Sequence, residues 1–314
     1  MKPVSTSFPT IKRTQAPGAG EAPIYGKAET PGSGSSIGGI LVNTGRLSPE
    51  NAERIFRLQI DEGKRFGEVA VELGLLTEDD VQFALSRQFD NLYLPANDSS
   101  LSRHLIAAYQ PLSMAVEKLR SVRAQLMLRW FKPEARQKTL AVMSPGRGEG
   151  RSFVAANLAI VFSQLGERTL LVDADLRVPC QDKLFKVNSK AGLSTLLAGR
   201  TGNEAIARIS LLPGLYVLPA GPVPPNPQEL VGRPGFAELL QSLARDFDII
   251  IFDTPASSSY AEAQMIAAGA GSALLLACKN RSSLRDIASL GRNLDHTGVK
   301  LVGAVLNVLP GQPN

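Results

Sequence analysis

A chain of 314 residues with 44% hydrophobic and 20% charged side chains can bury a large core, as one large domain or two with tails, which excludes a wholly extended or low-complexity protein. The formal net charge of +5 suits an acidic membrane surface or a polyphosphate ligand, but the excess is spread along the chain, so nucleic acid is not expected as a partner. Cys180 and Cys278 lie far apart without metal-ligand spacing, which argues against a disulfide framework or a zinc site and for a reducing compartment.

Residues 1–34 are rich in Pro, Gly, Ser and Thr and read as a disordered tail without a secretory leader. A repeat follows, in which "IGGILVNTGRLSPENAERIFRLQ" aligns with "FGEVAVELGLLTEDDVQFALSRQ". Gly38, Gly45, Leu47, Ser48 and Gln59 match Gly67, Gly74, Leu76, Thr77 and Gln88. Each copy predicts a short helix stopped at a Gly, then a second amphipathic helix capped by Ser48 or Thr77. Residues 35–95 are thus expected to form a small helical tandem-repeat domain, with 96–111 a linker. A helix is predicted from Leu112 to Trp130. Beyond it, apolar runs at 139–143, 168–172, 215–219, 248–252, 272–278 and 300–306 read as strands alternating with helices. The fold class expected for 112–310, before a short tail at 311–314, is α/β, a doubly wound and mainly parallel sheet. The longest apolar stretch, Ile266 to Cys278, is too short and too broken by Gly269 and Gly271 to span a bilayer.

The segment "MSPGRGEGRSF" lies between a predicted strand and a predicted helix, where a phosphate-cradling loop belongs. Gly146, Gly148 and Gly150 allow backbone N–H groups to converge on an anion, the following helix adds its positive end, and Ser152 stands where such loops place a hydroxyl for Mg²⁺. Arg151 replaces the expected Lys, and Pro145 the first Gly, so a glycine-rich turn without a ligand stays an alternative for this segment alone. Two further strands favour the nucleotide reading. "TLLVDADLR" ends in Asp173, Asp175 and Arg177, and "DIIIFDTP" ends in Asp253, at the carboxyl edge where an α/β sheet places its ligand crevice.

In this order and spacing the motifs resemble the P-loop, second aspartate motif and Walker B strand of the bacterial protein-tyrosine kinases (BY-kinases) of the chain-length determinant, exopolysaccharide EpsG type, relatives of the MinD/ParA ATPases. "LPAGPVPPNPQEL" and "EKLRSVR" resemble further segments of that family. The resemblance implies ATP and Mg²⁺ as cofactors and Gly146, Gly148, Glu149, Gly150, Arg151, Ser152 and Phe153 as the phosphate loop. It implies Ser152, Asp175 and Asp253 as the metal set, and Asp173 as base toward a tyrosine hydroxyl, with Arg151 and Asp175 as further catalytic groups. Arg177 is expected at phosphate or the aspartates, and Asn307 at adenine. Glu117, Arg120 and Arg123 fit the family's oligomerisation pattern. The implied partners are a membrane-embedded polysaccharide chain-length determinant and further copies of the chain, at the inner face of the plasma membrane. Arg151 is expected to supply the phosphate-binding charge through its guanidinium. No tyrosine follows Tyr260, so self-phosphorylation on a tyrosine-rich tail is not expected.

The N-terminal repeat resembles the N-terminal domain of type II secretion and pilus-assembly ATPases. That implies a cyclic di-GMP contact through Arg65 and Gly67, against the alternative of a plain protein-docking module. His104 and His296 are isolated and build no triad, and Trp130 reads as packing. Two functions follow: an ATP-dependent tyrosine kinase, or an ATP-gated assembly protein with little or no tyrosine transfer.

Overall fold

The computed structural model describes residues 36–88, 93–95, 97–132 and 137–309, and the expected tails at 1–34 and 311–314 lie outside the described residues. The chain divides between Asp98 and Ser99 into a helical unit and an α/β unit.

The helical unit holds α1 (Ile37–Asn43), α2 (Pro49–Glu62), α3 (Phe66–Glu72) and α4 (Glu78–Gln88). Both copies of the repeat turn at the same position, because Gly45 (φ 70°) and Gly74 (φ 64°) adopt the left-handed conformation that glycine enters without a steric penalty. Ser48 accepts the Asn51 N–H at 3.3 Å, while Thr77 and Asp80 cap each other reciprocally. Ile40, Leu41, Ile55, Val69, Ala70, Leu76 and Ala84 form one small core from both copies. Gly67 lies against α4 so closely that a Cβ there would sit 2.5 Å from Val81 Cγ1, so helix packing alone requires this glycine.

The α/β unit opens with α5 (Ile106–Tyr109) and α6 (Met114–Arg129), then runs β1 (Thr139–Met143), α7 (Arg151–Ser163), β2 (Thr169–Asp173), α8 (Gln181–Phe185) and α9 (Leu193–Leu197). It continues through β3 (Ala207–Arg208), β4 (Leu215–Leu218), α10 (Pro227–Val231), α11 (Pro234–Asp246), β5 (Ile249–Asp253), α12 (Glu262–Ala270), β6 (Ser272–Cys278), α13 (Leu284–His296) and β7 (Lys300–Asn307). The sheet order is β3-β4-β2-β5-β1-β6-β7, parallel except for the β3–β4 pair. The expected strands are all present, and β3 adds an edge too short to show alternation in the sequence. The central strands β1, β2 and β5 are apolar through their middles and buried on both faces, as helix-covered parallel strands must be, with polar residues only at their ends.

Residues 99–111 correct the expected linker at 96–111. Leu105, Ala107 and Ala108 are buried against α7, and the Asn157 side chain accepts the Ala107 N–H at 2.9 Å while donating to the His104 carbonyl at 3.0 Å. Gln164 also donates to the Ala107 carbonyl at 3.0 Å. This cover leaves α7 buried on nearly all sides, with Val154, Leu158 and Val161 in the core, while Leu165 falls beyond the helix and is 51% exposed. Trp130 is buried and its Nε1 donates to the Thr139 carbonyl at 2.9 Å, fixing the entry to β1.

Candidate active site

The carboxyl ends of β1, β2 and β5 meet at the middle of the sheet. Asp173 and Asp253 are register partners on β2 and β5, so two carboxylates stand side by side where the strands end. From β1 the chain enters the glycine loop and then α7, whose first N–H groups face the same edge. Gly148 (φ 69°) and Gly150 (φ 96°) make the left-handed turns that bring the loop back into the helix. At Gly150 the contact is also tight, because a Cβ would lie 2.2 Å from Asn307 Nδ2.

Inside the loop, Gly146 N–H donates to Glu149 Oε2 at 2.7 Å and Ser282 Oγ donates to Glu149 Oε1 at 2.5 Å. The Arg151 side chain turns back beneath the loop and is only 7% exposed. Its Nε donates to the Thr254 carbonyl at 2.9 Å, and its Nη1 donates to Ser144 Oγ at 2.6 Å and to the Gly146 carbonyl at 2.5 Å. Thr254 Oγ1 in turn donates to the Val142 carbonyl at 2.8 Å, closing a lock between the ends of β1 and β5.

The three aspartates have separate environments. Asp173 is fully buried: its Oδ2 accepts the Cys180 and Gln181 N–H groups, both at 2.9 Å, and its Oδ1 accepts the Asp175 N–H at 3.3 Å. Asp175 is half-buried and its Oδ1 shapes the following turn by accepting from Arg177 and Val178 N–H groups. Asp253 is fully buried, with Oδ2 accepting from Gln181 Nε2 at 2.8 Å and Oδ1 lacking any partner. Burial, with the neighbouring Asp253 charge second, raises the Asp173 carboxyl well above the usual carboxylate range. Burial likewise pushes Asp253 up to about 6, against the lowering effect of the Gln181 amide and the nearby Ser152 hydroxyl. Cys180, beside this cluster, is pushed by burial to about 12 and is an inert thiol at neutral pH.

A family model described as Cellulose biosynthesis protein BcsQ matches residues 138–285. The chain is 33% identical over 209 residues to Tyrosine-protein kinase YwqD of Bacillus subtilis, covering 67% of this chain and 87% of that protein. It is 32% identical to the Putative tyrosine-protein kinase CapB of Staphylococcus aureus, covering 65% and 89%. Among solved structures, the kinase domain of Escherichia coli tyrosine kinase ETK superposes with a TM-score of 0.64 at 28% identity, covering 72% of this chain and 88% of that one. The chain belongs to the bacterial tyrosine-protein kinase family.

Within this family member, several side chains stand elsewhere than expected. Arg151, expected to reach phosphate, directs three hydrogen bonds to the loop and to the residue after β5, because its position at the start of α7 returns the guanidinium to the Thr254 carbonyl, which would otherwise be buried unpaired. Asp173, expected as the base, is enclosed and its oxygens are taken by backbone donors. Arg177, expected at phosphate or the aspartates, instead grips Glu262 Oε1 through Nε at 2.9 Å and Nη2 at 2.5 Å, and its guanidinium lies 4.2 Å from the centre of the Tyr260 ring. Glu262 is buried and attracts it as the nearest compensating charge. Asn307, expected at adenine, donates from Nδ2 to the Glu149 carbonyl at 2.9 Å and so clamps the loop. Of the oligomerisation set, Glu117 and Arg120 pair on α6 at 3.2 Å, whereas Arg123 Nη1 donates to the Val161 carbonyl at 2.6 Å and ties α6 to α7. Phe153 is half-buried on the first turn of α7.

The structure adds Thr254, Gln181, Tyr260 and Glu262 to the site. The Tyr260 hydroxyl accepts from Arg147 Nη2 and its ring is flanked by Arg177, so it bridges the glycine loop and the turn after β2. Only Thr254 had a signal in the sequence, through its place beside Asp253. Gln181 is a polar residue of a five-residue helix, and nothing in its neighbourhood announces complete burial.

Proposed function

We propose that the chain transfers the γ-phosphoryl group of ATP to tyrosine hydroxyls, and that it thereby regulates exopolysaccharide chain length with a membrane-embedded chain-length determinant at the inner face of the plasma membrane. One observation carries the catalytic part: a fully buried Asp253 oxygen without a partner, at a strand end that meets a glycine loop and the Ser152 hydroxyl. An orphaned carboxylate oxygen costs stability unless a cation or donor completes it. Among the described residues no group of three or more His, Cys, Asp or Glu side chains is arranged to hold a metal unaided. That donor set fits Mg²⁺, which is commonly held by one or two carboxylates together with phosphate oxygens and water. Ser152 and Asp253 would hold the ion, with Asp175 reaching it through water, and when bound it neutralises charge on the phosphates.

The chain's own groups then do the positioning that phosphoryl transfer needs. The N–H groups of the loop and the start of α7 orient the phosphates, with Arg151 and Asn307 holding the loop in shape. Gln181 fixes Asp253. Asp175, the least enclosed of the three carboxylates, would receive the tyrosine proton, while Asp173 holds the turn that presents it. Glu117 and Arg120 on α6 offer the surface for contact between copies. The helical unit is a docking module: helix packing by itself accounts for Gly67, so cyclic di-GMP is the lesser reading. No described helix is long and apolar enough to cross a membrane.

The inward turn of Arg151 favours a second reading, ATP-gated assembly with little transfer. Incubation with Mg-ATP and a random Glu/Tyr polymer, followed by mass spectrometry, separates the two. The kinase reading expects phosphotyrosine that falls by about 100-fold in Asp175→Asn, the usual scale for losing one acid–base group. Absence of phosphotyrosine on polymer and protein alike, with ATP-responsive assembly retained, would leave the second reading.

A further inference from the structure

The turn between β6 and α13 carries a cation that the site as described does not use. Arg281 is exposed, and its guanidinium lies against the Cα of Gly148: a Cβ there would sit 2.8 Å from Nη2, 3.1 Å from Cζ and 3.2 Å from Nη1. Gly148 therefore serves two ends, the left-handed φ of 69° and the close approach of this side chain. The Arg281 side chain has no hydrogen bond or ion pair among the described residues, so none of them compensates its charge.

The backbone of the turn is fastened to the phosphate loop. Asn280 adopts a left-handed φ of 58°, an unfavourable conformation that asparagine tolerates better than most residues. Ser282 Oγ accepts the Cys278 N–H at 2.8 Å and donates to Glu149 Oε1, while the Lys279 N–H donates to the Asn307 carbonyl at 2.9 Å. Asn307 itself holds the Glu149 carbonyl. Two cross-links thus fix the turn to Glu149, and Arg281 stands over Gly148 as a result.

We propose that Arg281 supplies the side-chain positive charge that grips the nucleotide's phosphates, the task that Arg151 cannot perform while its guanidinium anchors the loop. This inference rests on the nucleotide reading of the glycine loop. A guanidinium waiting in solvent over the loop loses little hydration before binding, and it can then meet two phosphate oxygens with parallel N–H groups.

Equilibrium titration of a fluorescent ADP and competition by Mg-ATP test it on the full chain. Arg281→Ala is expected to weaken both nucleotides about tenfold to a hundredfold, the range for one charge-assisted hydrogen bond. Arg281→Lys should fall between it and the natural chain, because an ammonium keeps the charge but not the fork. Arg285→Ala, an exposed residue one turn along, should stay within about twofold and controls for general charge loss. Thermal unfolding should be unchanged by Arg281→Ala, since the side chain is exposed and unpaired. If the natural chain binds and Arg281→Ala binds equally, the inference is overturned and the nucleotide reading stands. If the natural chain binds neither nucleotide, both are overturned.

Discussion

Asp253→Asn is expected to melt at a higher temperature than the natural chain at pH 7.5. Asp253 is fully buried, and burial raises its pKa from 3.8 to about 6. A carboxyl with a raised folded-state pKa binds its proton more tightly folded than unfolded, so stability falls as pH rises from about 3.8 to about 6. Above that window the whole penalty is present. A rise of this size corresponds to on the order of 2–3 kcal/mol, which for a domain of this size is about 4–10 °C in melting temperature. An asparagine oxygen still accepts from Gln181 Nε2, so the substitution removes the charge and keeps the bond. At pH 4 and below the difference should close, because the natural carboxyl is then protonated in the folded state. The same variant should lose phosphotransfer, the trade expected where a functional site stores destabilising charge. Calorimetric melting at the two pH values decides it, and a variant that melts lower at pH 7.5 would contradict a buried Asp253 whose ionised form burial penalises more than its neighbours stabilise it.

Arg151→Ala is expected to lower the melting temperature of the nucleotide-free protein by about 6–15 °C. The substitution removes three hydrogen bonds from a charged donor and strands the buried Thr254 carbonyl. The loss should be about 3–4 kcal/mol, taking one or two of these bonds as lost outright and the rest as replaced by water. Nucleotide affinity should fall at least tenfold in the same variant, through a loop no longer held to the end of β5. Arg151→Lys should retain binding within about tenfold, since an ammonium can still reach Ser144 Oγ or the Gly146 carbonyl, but it should melt lower for want of the Nε contact to Thr254. Circular-dichroism melts without nucleotide check the structural role directly. An unchanged melting temperature for the alanine variant would mean that Arg151 does not anchor the loop.

Much of this site was legible because backbone physics leaves strong marks. Apolar runs ending in Asp173 and Asp253 announce buried parallel strands, and glycines at fixed offsets announce left-handed turns. The two aspartates fall on adjacent strands in register, which the topology of an α/β sheet makes natural. The direction of a long side chain leaves no such mark. Arg151 could reach a ligand or fold back on its own loop with the same backbone, and only the positions of the Thr254 and Gly146 carbonyls decide between them. Arg281 sits in a polar turn over a hundred residues from the loop it covers, so its placement depends on the Ser282–Glu149 and Asn307–Glu149 contacts. Residues 99–111 read as a linker because the apolar cluster at Leu105–Ala108 is short, and the Asn157 amide that secures it lies fifty residues away.

The claim on which the rest depends is that "GRGEGRS" is a working nucleotide loop despite Arg151. Isothermal titration of Mg-ATP into the natural chain tests it most directly, with Gly150→Val as the comparison, because a side chain there meets Asn307 Nδ2 and the loop must deform. Binding is expected to saturate at one nucleotide per chain, to weaken when Mg²⁺ is withheld and to be abolished in Gly150→Val. Absence of binding heat for Mg-ATP and Mg-ADP at several temperatures, in a chain that melts cooperatively, would contradict it.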